Sequence, residues 1–83
     1  MSELEKLRSE INRIDNSLLD LLSNRMEISV KVGEYKKKNN IQVLDSSREK
    51  ELIERLISYS NIDNDLVKDL WNIIMKYSKK LQN

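Results

Sequence analysis

Apolar residues recur along the first half of the chain at Leu4, Leu7, Ile11, Ile14, Leu18 and Leu21, and again at Ile28, Val32 and Tyr35. Steps of three and four sustained over this length mark a helix that buries one narrow face. One residue interrupts the seam, Arg25. Ser2-Glu3-Leu4-Glu5 supplies a hydroxyl cap with a Ser-x-x-Glu box. Lys36-Lys37-Lys38 suits the negative end of the helix dipole, and Asn39-Asn40 makes a stop. The pattern therefore predicts one helix from Ser2 to about Lys38, roughly 50 Å long.

A second helix is predicted from Asp45-Ser46-Ser47, with Asp45 or Ser46 as its cap and Leu52, Ile53, Leu56 and Ile57 on one face. The turn-rich cluster Asn61-Ile62-Asp63-Asn64 ends it. Asp63 or Asn64 then caps a third helix carrying Leu66, Val67, Leu70, Trp71, Ile73, Ile74, Tyr77 and Leu81. Two short helices cannot cover both halves of a 50 Å one. The expected architecture is all-α, three helices in a single domain over residues 1–83, with a second copy of the chain completing a helical homodimer.

Composition agrees with that class and narrows the chemistry. The 83 residues include no proline and one glycine, Gly33, so nothing punctuates a many-stranded sheet. Fifteen basic residues against fourteen acidic ones argue against a general nucleic-acid or membrane-surface binder. The absence of cysteine excludes disulfides, thiol nucleophiles and thiolate metal ligands. The absence of histidine removes the commonest acid-base group and metal ligand, and with no thiolate either a structural zinc site is excluded in practice. Met1 precedes a charged stretch rather than an apolar one, and no run reaches membrane-spanning length, so the expected location is the cytoplasm.

Arg25 then becomes the informative residue, because a cation within an apolar seam loses solvation unless an anion meets it. Either Glu49, Glu27 or Glu51 pairs with it, or the seam shifts register and leaves it at the rim, or the anion arrives as a ligand. Lys36 lies eleven residues on and shares its face, although alone it would be a solvated helix end. Arg8, alone an ordinary surface arginine, lies seventeen residues before Arg25, about 25 Å along a helix, too far to grip one small ligand in the same chain. In an antiparallel dimer Arg8 of one chain can lie near Arg25 of the other, so a composite site is geometrically available. Asp45, Arg48 and Glu49 form a second cluster, equally accounted for as a helix start. Ser78 and Gln82 share one face of the third helix. Together these are cations, hydroxyls, amides and carboxylates without a nucleophile-base pair. Such a set binds a polyanion and stabilises developing charge rather than forming covalent intermediates.

The segments Leu7-Arg8, Ile11, Ile14-Asp15, Leu18-Leu19, Leu21-Leu22, Asn24-Arg25-Met26-Glu27, Val32-Gly33 and Lys36 resemble the first helix of the all-helical chorismate mutase family. Val43-x-Asp45-x-x-Arg48-Glu49 resembles its second motif, and Ile73-Ile74-x-x-x-Ser78-x-x-x-Gln82 its third. The resemblance implies an intertwined helical dimer with two equivalent sites, each completed by the partner chain. It implies the Claisen rearrangement of chorismate to prephenate in aromatic amino acid biosynthesis, an intramolecular reaction needing no cofactor or enzyme nucleophile.

By motif position, Arg25 and the partner's Arg8 would bind the substrate carboxylates, and Lys36 and Gln82 would donate to the ether oxygen. Glu49 and the Asp45 region would hold the ring hydroxyl, Arg48 would shape the site, and Ser78 would assist a carboxylate. A complex with another shikimate-pathway enzyme is compatible with the same resemblance. Two alternatives remain at the level of sequence. One is a lyase releasing pyruvate from isochorismate on the same fold; the other is a non-catalytic helical dimer, which leaves Arg25 unexplained.

Overall fold

The structure, a computed structural model, describes residues 2–83. Helix α1 spans Glu3–Lys38, α2 spans Ser46–Tyr59 and α3 spans Asn64–Gln82, and the described residues contain no strand. The helix limits follow from local chemistry. Ser2 caps α1, its hydroxyl accepting from the Glu5 N–H at 3.1 Å, with Glu3 and Glu5 in the first turn and three lysines in the last. At the other end Asn40 takes φ 55°, a left-handed conformation that asparagine tolerates, and the Ile41 N–H turns back to the Lys36 carbonyl at 2.8 Å. This is a Schellman stop built on asparagine rather than glycine.

Aspartates take both remaining caps. Asp45 accepts from the Arg48 N–H and Asp63 from the Leu66 N–H, each at 3.0 Å. Ser46 and Asn64, the other candidates, are the first helical residues.

Helix α3 is the centre of the fold. It packs on the C-terminal half of α1, and α2 folds back along it through residues 60–63. Leu52, Val67, Ile74 and Met75 are buried, as are Ser29, Gly33 and Ser78. Small residues set the approach of α1 to α3: Ser29 meets Ser78, and Gly33 lies against the backbone of Gln82. The face of α1 turned to α3 is thus the one carrying Ser29 and Gly33.

The apolar seam lies elsewhere and faces outward in the single chain. Leu4, Leu7, Ile11, Ile14, Leu18 and Leu21 are all exposed, Leu21 by 66%, and so are Ile28 and Tyr35 near α3. The N-terminal half of α1 projects from the rest, giving an extent of 56 Å and a radius of gyration of 16.2 Å, against about 12 Å for a compact chain of this length. The accessible surface, 7073 Å², exceeds the roughly 5,200 Å² of a compact monomer of this mass. No helix among the described residues is long and apolar enough to cross a membrane.

Candidate functional site

A cleft of about 320 Å³ opens between α1 and α2, floored by α3. From α1 come Arg25, Ile28, Ser29, Val32 and Lys36; from the α1–α2 connection, Val43 and Asp45; from α2, Arg48, Glu49 and Leu52. Met75, Ser78, Lys79 and Gln82 of α3 complete it. Seven of the eight residues singled out in the sequence therefore meet in one place. Arg8 does not: it is exposed on the projecting half of α1, about 25 Å along the helix from Arg25.

Arg25 is half-buried, and its Nη1 donates to the Ser78 hydroxyl at 2.5 Å. The Ser29 hydroxyl lies 3.1 Å from both Ser78 Oγ and the Arg25 carbonyl oxygen, so two hydroxyls tie the guanidinium back to its own helix. Burial, and then the nearby Arg48 charge, lower the Arg25 pKa from its ordinary value. The guanidinium remains protonated all the same. No carboxylate meets it: the one ion pair among the described residues joins Lys79 to Glu49, while Glu27 and Glu51 are exposed. A cation shielded from water and held by a neutral hydroxyl is left with unused donors toward the cleft.

Lys36 bridges the two ends of the site. Its Nζ donates to the Val43 carbonyl at 3.0 Å and to Gln82 Oε1 at 2.9 Å. Because Oε1 accepts that bond, the amide NH₂ of Gln82 is left as a donor, beside whichever ammonium proton Lys36 has not used. Gln82 is the last residue of α3, held in place by the contact of its backbone with Gly33.

The α2 wall differs in character. Asp45 is exposed and spends one oxygen on its cap. Arg48 is exposed at the mouth. Glu49, one of the three carboxylates offered as partners for Arg25, instead receives Lys79 Nζ on both oxygens, at 3.1 and 3.3 Å. Four cations against two carboxylates make the cleft an anion site. No group of three or more His, Cys, Asp or Glu able to hold a metal occurs among the described residues.

Sequence reasoning missed Ser29, the Val43 carbonyl and Lys79. Ser29 shows no periodic signal because a small polar residue marks close helix approach only once the partner helix is known. A backbone carbonyl is invisible in any sequence. Lys79 sits in a Lys-Lys pair near the end of α3, where lysines ordinarily answer the helix dipole; its position three residues before Gln82, on a neighbouring part of the same face, was the available clue.

A sequence profile described as chorismate mutase type II matches residues 7–83. The chain is 29% identical to a chorismate mutase of Methanocaldococcus jannaschii, over 99% of this chain and 86% of that protein. It is 35% identical, over 99% of its own length, to a bifunctional chorismate mutase/prephenate dehydratase of Buchnera aphidicola, and spans only 23% of that longer protein. Among solved structures it is similar to the chorismate mutase of Helicobacter pylori in complex with prephenate, with a TM-score of 0.85 and 32% identity over 95% of this chain and 88% of that one.

Proposed function

The chain belongs to the type II chorismate mutase family, and from that premise we propose that it converts chorismate to prephenate in an intertwined homodimer whose two clefts each borrow one arginine. Arg25 is the observation that carries the proposal: a half-buried guanidinium with no carboxylate partner, aimed into a cationic cleft by Ser78. It binds one substrate carboxylate, for which the guanidinium fork is suited. Ser78 fixes the fork and assists the same carboxylate.

The reaction breaks an ether C–O bond while a C–C bond forms within one molecule, so neither a proton nor a nucleophile is required. Two tasks remain for the protein. The first is to hold the compact conformer in which the reacting carbons approach, an orientation effect that converts binding into rate. The second is to stabilise negative charge growing on the ether oxygen. Lys36 Nζ and the Gln82 NH₂ lie together at the α1–α3 crossing and serve as its donors. Their fixed bond to each other means little reorganisation when charge develops. Glu49, with Asp45 beside it, accepts from the ring hydroxyl, and Arg48 closes the mouth.

The second carboxylate falls to the partner subunit's Arg8. Support comes from the long α1 with its outward apolar seam, and from accessible surface about 1,900 Å² above that of a compact monomer. An excess of that size matches what one subunit of a permanent dimer buries. An antiparallel pairing of two α1 seams sets each Arg8 near the opposite Arg25.

The test is direct. Purified protein is mixed with chorismate, the loss of its ultraviolet absorbance is followed and the product identified. Prephenate is the expected product. A folded dimer that leaves chorismate unchanged overturns the proposal in favour of a binding module, and pyruvate released from isochorismate would assign the protein to lyase chemistry.

A further inference from the structure

Lys79 is the one cation of the cleft to which neither the motif nor the reaction gives a task. Its ammonium spans both oxygens of Glu49, at 3.1 and 3.3 Å, with the two side chains only 34% and 28% exposed. A fully solvated pair of this kind does little. Here the pair stands in the cleft wall, on the acceptor that faces the ring of the substrate.

We propose that Lys79 sets the choice of ring substituent: by neutralising Glu49, it makes the site accept a neutral hydroxyl and refuse an ammonium in the same position. The inference rests on the mutase reading given above. A carboxylate has lone pairs enough to receive both Lys79 and one further donor. A hydroxyl needs only an acceptor, so it binds Glu49 whether or not the charge is compensated. An ammonium gains chiefly from net negative charge. Beside Glu49 it meets Lys79 Nζ within a few ångströms, and repulsion between the two cations offsets the attraction of the carboxylate.

The other charges facing this spot do not restore the balance. Arg25 and Lys36 on α1 and Arg48 on α2 are cations, and only Asp45, at the exposed end, is an anion. Specificity of this kind works by rejecting the wrong substrate rather than by improving contact with the right one.

The experiment compares chorismate with 4-amino-4-deoxychorismate, in which an ammonium replaces the ring hydroxyl, using wild type, Lys79→Met and Lys79→Arg. Methionine keeps the unbranched stem and drops the charge, and circular dichroism checks that each variant is folded. In Lys79→Met the ratio of kcat/KM for the amino compound to that for chorismate is expected to rise by about 10-fold or more, while Lys79→Arg keeps the wild-type ratio. Because the ratio is taken within one protein, a general loss of stability cancels from it. An unchanged ratio, with wild type active on chorismate, overturns the role of Lys79 and leaves the mutase reading intact; an equal fall for both compounds makes Lys79 a general anion-binding group and overturns it as well. Wild type inactive on both compounds overturns the mutase reading and this inference with it.

Discussion

A Cβ placed on Gly33 would sit 2.5 Å from Gln82 Cα and 2.7 Å from the Gln82 carbonyl oxygen. Those are backbone atoms, and no side-chain rotation relieves the overlap. The contact fixes the height of the last turn of α3, and with it the Lys36–Gln82 bond on which the proposed charge stabilisation depends.

Gly33→Ala separates two effects of opposite sign. Helix propensity alone favours alanine by about 1 kcal/mol. If the close approach governs, the thermal midpoint falls instead, and activity falls at least ~10-fold because Gln82 is displaced from Lys36. A thermal melt and a chorismate assay on the same preparation check both; a more stable and fully active variant would falsify the contact.

Removing Arg25 should cost activity and spare the fold. With no carboxylate paired to it, Arg25→Ala discards an uncompensated charge and strands no anion, so the melt should be unchanged or slightly higher. Activity should drop by ~10³-fold. Arg25→Lys, which keeps charge but loses the planar fork, should stay well below wild type. A collapse of the dimer in Arg25→Ala would show a structural role instead.

A shared site predicts rescue by mixing. Arg8→Ala and Arg25→Ala are each expected to be inactive. Equimolar mixing with free subunit exchange makes half the dimers mixed, each with one intact site, and restores about a quarter of wild-type activity. Exchange demonstrated by mass, without recovery, would mean that Arg8 does not reach the cleft.

The seam itself can be tested by charge. Ile14 and Leu18 are each more than half exposed in the single chain and belong to the stripe proposed to pair with a partner. Ile14→Glu places like charges in that pairing. Sedimentation should show monomer, or a dimer that dissociates on dilution, and the thermal midpoint should become more dependent on protein concentration than in wild type. An unaltered dimer would place the interface on another face of α1.

Much of the fold was legible because its signals are local. The caps at Ser2, Asp45 and Asp63 and the stop at Asn39-Asn40 depend on residues within five positions of one another. Seven cleft residues were also legible, chiefly through motif order, since Lys36 alone reads as a solvated helix end and Asp45 and Glu49 as a helix start. The relation between helices was harder to see. Ser29 and Gly33 bring α1 onto α3, yet small residues leave no mark in a hydrophobic pattern, and the strongest stripe in the sequence points away from the chain's own core. Arg25 was recognised as an oddity, but its carboxylate candidates were the wrong ones: a serine from 53 positions away holds it.

Among the described residues no Cα of α2 comes within 8 Å of α1; the backbones of the two cleft walls are joined through α3 and the connecting segment. A bound dianion with a hydroxyl at its far edge would bridge them directly, acting as a keystone between two arches. The empty protein can then breathe along that gap, admitting and releasing small molecules without unfolding a helix. Amide protons of α2 should exchange more slowly once the cleft is filled, because the bound molecule then opposes the local opening that exposes them.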